Sequence, residues 1–147
     1  MIALFSIKPE YVQKIFFGDK RYEYRKVIFR SDVSKIVVYC TKPVGMIVGE
    51  FSIERILEGN PESIWEETQH FSGIRKQFYN NYFKGRSKVY AINIRDEKLY
   101  QEAVNPYTIF RSFTPPQSFR YLNSEEYAKC LVSSLKSCGK IEDGFIL

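Results

Sequence analysis

The chain has 147 residues, 44% hydrophobic and 27% charged, the length of one domain and the composition of an ordinary globular protein rather than a disordered or fibrous one. No apolar run reaches the roughly 18–20 residues needed to cross a bilayer, so neither a membrane span nor a secretory signal is expected. Twenty-two Lys and Arg against seventeen Asp and Glu give a net charge of +5, which favours polyanionic partners.

Taken in chain order, "IALFSI" (2–7) is a compact β-prone run. "KPEYVQKIFFG" then puts Pro9 in a first helical turn and Gly18 just past the helix end. "KRYEYR" (20–25) alternates about a sheet, sending Tyr22 and Tyr24 one way and Glu23 and Arg25 the other. Lys20 has the wrong parity for the Glu23 face unless it sits in the turn before the strand. "KIVVYC" (35–40) and "GMIVGEFSIERIL" (45–57), separated by "TKPVG", predict an antiparallel hairpin. Asn60 and Pro61 open a helix over "PESIWEETQ", which Trp65 anchors to the sheet. Ser72 is placed to cap a second helix, whose Ile74, Phe78 and Tyr82 recur every four residues as a core stripe. "KVYAINIR" (88–95) is a strand, and "EKLYQEAV" (97–104) fits strand or helix. "NPYTIF" and "TPPQSFRYL" read as irregular or extended, and "SEEYAKCLVSSLKS" (124–137) as a Ser-capped amphipathic helix with Tyr127, Leu131 and Leu135 inward. The expected fold class is α+β. Five or six mostly antiparallel strands curl into a small barrel with short helices at its margins, in one domain over residues 1–147.

Cys40, Cys130 and Cys138 are odd in number and lack CxxC spacing, and His70 is the sole histidine. Neither a disulfide framework, a metal site nor a cofactor is expected, and a reducing cytoplasm is the natural compartment. His70 reads as a surface or loop residue.

Chemistry concentrates in "GDKRYEYRK" (18–26). This stretch fits a solvated strand face, and it also fits a polar pocket in which Glu23, held between two cations, leaves donors on Lys20 and Arg25 free for a phosphate, a carboxylate or a base carbonyl. From Thr68 to Arg95 there is no acidic residue, and cations alternate with aromatic rings. There Lys84, Arg86 and Lys88 are candidates for phosphate-backbone contacts. Glu50, flanked by apolar residues, fits an outward or a pocket-facing position. Tyr24 and Tyr39 fit either base stacking or, more commonly, the core.

The order "LFSIKPEYVQKIFFGDKRYEYRK", "IVVYCTKPVGMIVGEFSI" and "YAINI" resembles the ASCH domain family of the PUA-like superfamily. The family's G-x-K-x-x-E-x-R pattern is filled by Gly18, Lys20, Glu23 and Arg25. The resemblance spans residues 2–95, and residues 96–147 form a C-terminal extension ending in a helix. It implies a β-barrel and binding of RNA or a nucleotide-like ligand beside the motif, in a translational or transcriptional regulatory setting. Lys20, Glu23, Arg25, Tyr39 and Thr41 are the ligand-binding candidates. Small relatives resemble amidohydrolases of acylated cytidine that use a lysine, a threonine and a glutamate. Here Lys20 matches the lysine but Glu23 replaces the threonine, leaving Thr41 and Glu50 to supply a hydroxyl and a second carboxylate if the fold brings them near.

Three functions follow as expectations: a nucleotide or RNA binder, a hydrolase acting on modified nucleosides or RNA with Lys20 as base, and a protein-interaction module using exposed aromatics. If Glu23 touches Lys20 it keeps the ammonium charged, so the residues predict a ligand contact rather than a base. Amidohydrolase activity is then expected to be weak or absent, and Glu23→Thr is the substitution to uncover it.

Overall fold

The computed structural model describes residues 1–135. Its strands are β1 (Ile2–Ile7), β2 (Tyr22–Arg25), β3 (Lys35–Cys40), β4 (Met46–Gly59), β5 (Val89–Val104) and β6 (Arg120–Leu122). Its helices are α1 (Pro9–Phe17), α2 (Pro61–Thr68), α3 (Lys76–Tyr82) and α4 (Ser124–Ser134). One six-stranded sheet runs in the order β2-β5-β4-β3-β1-β6, with β1 parallel to β3 and every other pairing antiparallel.

The expected hairpin is β3–β4, and the ambiguous 97–104 segment continues β5. Val37 stands opposite Glu50 in the hairpin, whereas on the next ladder Glu50 faces Lys98 and Ser52 faces Arg95. The extra β5 residues are absorbed at Asp96, whose φ of +52° is a left-handed conformation that Asp tolerates better than most residues. This bulge splits in sequence what is continuous in structure.

The sheet does not close into the expected barrel: β2 and β6 are both edges. Closure would need paired edges, but β2 has four residues, β6 has three, and β6 covers only Ile2, Ala3 and Leu4 of β1. Ser6 and Ile7 of β1 therefore keep one free side, which lies near β2.

Apolar side chains pack on both faces. Phe5, Ile36, Val38, Phe51 and Ile92 meet Val12 and Ile15 of α1 on one face. Leu4, Val37, Tyr39, Ile47 and Tyr100 meet Cys130 of α4 on the other. A third cluster joins Trp65 of α2 and Tyr79 of α3 to Tyr24, and the Trp65 and Tyr79 rings lie 4.7 Å apart, so Trp65 does anchor its helix.

Two helix starts differ from expectation. α4 is capped by Asn123, which forms a reciprocal capping box with Glu126, and Ser124 is already helical. Asn takes the cap because its side chain accepts from the Glu126 N–H while Glu126 reaches back to the Asn123 N–H. Tyr127 and Leu131 pack on the sheet but Leu135 is exposed; the predicted end of this helix and Cys138 lie outside the described residues. α3 begins at Lys76, past Ser72.

Candidate nucleotide site at the open sheet edge

A cavity of about 250 Å³ occupies the gap between β2 and the free end of β1. Lys20, Glu23, Tyr24 and Arg25 line one side, Ser6, Ile7, Lys8 and Tyr11 another, and Ile74, Phe78 and Tyr82 a third. The sheet's failure to close creates the site. Glu23 and Arg25 point into this concavity rather than into solvent, and both are buried, but its walls are mostly apolar and aromatic rather than polar as expected.

Lys20 lies in the turn before β2, the one placement that reconciles its parity with the Glu23 face. It is 2% exposed. Its Nζ donates to the Ser72 carbonyl at 2.7 Å and stands 5.0 Å and 5.5 Å from the Tyr24 and Tyr11 ring centroids. Residues 71–73 form a strap over this region. The Phe71 carbonyl accepts from the Arg21 N–H, the Ser72 carbonyl from Lys20, and the Gly73 carbonyl from Lys14 Nζ at 2.9 Å. Gly73 has a φ of +68°, and a Cβ there would meet Lys20 Cβ at 2.7 Å, so only glycine lets the strap approach. Ser72 and Gly73 were missed as site residues; the isolated glycine in "SGI" was the available signal.

Burial lowers the Lys20 pKa to about 8, against the opposing pull of Glu23 and with help from Lys14 and Arg25. The condition that Glu23 touches this ammonium is not met, yet at neutral pH Lys20 stays mostly charged. Lys20 forms no ion pair among the described residues, so the carboxylate acts only at a distance while desolvation acts fully.

Glu23 is instead committed to Arg25, whose Nε and Nη2 donate to the same oxygen, Oε2, at 3.1 Å and 2.8 Å. Oε1 has no hydrogen-bond partner among the described residues. The remaining Arg25 donors reach the Ser118 carbonyl at 2.9 Å and the Ser6 carbonyl at 3.1 Å, and the guanidinium covers the Phe5 ring at 4.2 Å. Arg25 thus ties β2 to the free end of β1 and to the segment before β6. It has little to spare for a ligand, while Lys20 and Glu23 each keep hydrogen-bonding capacity.

Of the stripe Ile74, Phe78 and Tyr82, Ile74 precedes α3 and packs against the third cluster, but the two residues on the helix are not core. Phe78 is 49% and Tyr82 37% exposed, whereas Tyr79 is buried against Trp65 and Tyr24. The stripe faces the cavity because Tyr79 occupies the core face of this short helix. Tyr24 gives its hydroxyl to a 2.7 Å bond with Thr68 Oγ1, and burial raises its pKa to about 12.

Tyr39, Thr41 and Glu50 lie away from the cavity. Tyr39 is buried on the α4 face with its ring 4.9 Å from Phe113. Thr41 starts the turn between β3 and β4, its N–H bonded to the Ile7 carbonyl. Glu50 is buried but faces α4, not the pocket. Its carboxylate accepts from Lys35 Nζ at 2.7 Å and from the Tyr100 and Tyr127 hydroxyls, each at 2.9 Å. A hydroxyl and second carboxylate beside Lys20 are therefore not supplied by Thr41 and Glu50. Lys84 and Arg86 are exposed beyond α3, and Lys88 pairs with Glu58 at 3.0 Å. None of the three lines the cavity. His70 is exposed in a short 3-10 turn. Among the described residues no cluster of three His, Cys, Asp or Glu could hold a metal, and no helix is long and apolar enough to cross a membrane.

Burial pushes the Glu50 carboxyl up, but the bonds from Lys35, Tyr100 and Tyr127 together outweigh it and hold the group below its ordinary 4.5. A lowered folded pKa contributes stability that is present above the unfolded value and lost as pH falls through the folded one. Glu50→Ala is expected to cost about 3 kcal/mol at neutral pH by leaving the buried Tyr100 hydroxyl and the Lys35 charge unpaired. In urea melts the gap between variant and wild type should close as the pH is taken below 4.5. A gap that stays constant from pH 7 to pH 3 would show that ionisation of Glu50 does not contribute.

The sequence matches the ASCH domain model over residues 5–99. It is 30% identical over 134 residues to an ASCH domain-containing ribonuclease of Zymomonas mobilis, covering 86% of this chain and 88% of that protein. The crystal structure of ASCH from Zymomonas mobilis superposes with a TM-score of 0.84 at 30% identity, covering 89% of this chain and 94% of that one. The large ribosomal subunit protein uL22 of Ureaplasma parvum is 29% identical over 122 residues, 81% of this chain but 38% of that protein. The motif at the open edge, the family match and the fold likeness agree: the chain belongs to the ASCH domain family.

Proposed function

We propose that the chain acts on RNA by seating one unpaired nucleotide in the cavity of Lys20, Glu23 and Arg25. The observation that carries this is the pairing of two polar groups that keep spare hydrogen-bonding capacity, Glu23 Oε1 and the Lys20 ammonium, with aromatic walls in one small space. Glu23 Oε1 accepts from an N–H on a base edge, the Lys20 ammonium donates to a neighbouring carbonyl or ring nitrogen, and Tyr11 with the cavity-side edges of Phe78 and Tyr82 walls the space around the base. At about 250 Å³ the cavity is smaller than the ~300–1,000 Å³ of drug-sized sites, which suits a base rather than a larger ligand. Arg25 fixes the Glu23 carboxylate through Oε2 and leaves Oε1 toward the ligand. RNA is favoured over other nucleotide-like ligands because the Zymomonas relative, similar over most of its length, is a ribonuclease.

A second reading is hydrolysis of the bound RNA, and one observation favours it. With its pKa near 8, about one Lys20 in ten is neutral at pH 7, enough to take a proton from a ribose hydroxyl.

The test is fluorescence anisotropy with a labelled single-stranded RNA of eight nucleotides and the duplex of the same sequence. The single strand should bind at least tenfold more tightly than the duplex, and Lys20→Met should lose most of that affinity. Equal binding of both forms, or no effect of Lys20→Met, overturns the proposal.

A further inference from the structure

We infer that the mouth of the cavity carries a second binding surface, two ring-and-lysine steps on which the nucleotides flanking the seated one stack in an extended single strand. Phe78 and Tyr82 stand four residues apart on α3, both substantially exposed, with one edge on the cavity and the other toward solvent. Such a pair has side-chain origins about 5–6 Å apart. That exceeds the 3.4 Å step of a stacked duplex strand, so bases lying on successive rings must belong to a stretched, unpaired strand.

Each ring has its own cation. Lys8 Nζ lies 5.8 Å from the Phe78 centroid and Lys26 Nζ 4.6 Å from the Tyr82 centroid. Neither lysine is in an ion pair among the described residues, in contrast to Lys88, whose charge is spent on Glu58. Each ammonium lies over one face of its ring, so a base stacks on the opposite face and the ammonium meets the phosphate of that nucleotide or its neighbour. The complementarity extends along the segment, since no acidic residue lies between Thr68 and Arg95. The phosphate path therefore crosses Lys8 and Lys26, which come from the β1–α1 and β2 sides of the cavity, rather than depending on Lys88.

This surface rests on the cavity taking a nucleotide, and the experiment keeps the two apart. An eight-nucleotide RNA is compared with a strand of equal length and charge in which every base but one is replaced by an abasic ribose, binding to wild type and to the Phe78→Ala/Tyr82→Ala variant. The wild type should prefer the full RNA by tenfold or more, because each stacked base contributes, and the variant should bind the two strands within about twofold. A variant that keeps the tenfold preference overturns the inference and leaves the cavity proposal standing. A wild type that binds neither strand overturns the cavity proposal and this surface with it. Unchanged RNA preference together with loss of a wild-type dimer in light scattering would identify the rings as a protein contact, which also overturns the inference.

Discussion

Arg25→Ala should cost the fold about 3–5 kcal/mol, a large share of the ~5–15 kcal/mol that holds a typical domain together. The change leaves the Glu23 carboxylate, 9% exposed at its side chain, without either of its guanidinium donors. It also removes the donors of the Ser6 and Ser118 carbonyls, the links that hold the unpaired sheet edges together. In urea unfolding followed by circular dichroism the midpoint should fall sharply. The double change Arg25→Ala/Glu23→Gln should recover part of the loss by removing the stranded charge. Arg25→Lys should recover little, because one ammonium cannot reproduce a planar fork that reaches three acceptors. A single-variant loss below about 1 kcal/mol would mean that the cluster is wet and the edges are held by other contacts.

RNA affinity should fall as pH rises through about 8, where Lys20 loses its charge. A hydrogen bond from a charged donor contributes roughly 1.5–3 kcal/mol, so affinity between pH 7 and pH 9.5 should drop by about tenfold or more. Lys20→Met should start at the low value and stay flat across the same range. If Lys20 is also the base that starts RNA cleavage, the cleavage rate moves the other way. It rises with the neutral fraction through about 8 in the wild type, and it falls by about 10²–10⁴ in Lys20→Met. One pH series read for both binding and cleavage separates the two roles. An affinity independent of pH in the wild type would remove Lys20 from the ligand.

Local sequence determined the pieces of this protein. Pro9 and Gly18 bounded α1, the β-branched runs made β3 and β4, and the spacing from Gly18 to Arg25 marked the motif, since each depends on near neighbours in the chain. Alternation in β2 likewise put Glu23 and Arg25 on one face, because strand parity is a property of the backbone. Periodicity assigns residues to a common face without saying what that face meets. Thus Phe78 and Tyr82 shared a stripe in sequence, yet only the packing of Tyr79 on Trp65 turned that stripe to the cavity. Glu50 was ambiguous for the same reason, and its partners Tyr100 and Tyr127 stand 50 and 77 residues away. The Lys20 bond to Ser72 spans 52 residues and the Arg25 bond to Ser118 spans 93. Tertiary structure alone decided that the sheet stays open, that Arg25 bridges the opening and that Lys20 is buried beneath the strap. Contacts across such separations follow from how whole elements pack, and it is this burial that moves the Lys20 pKa.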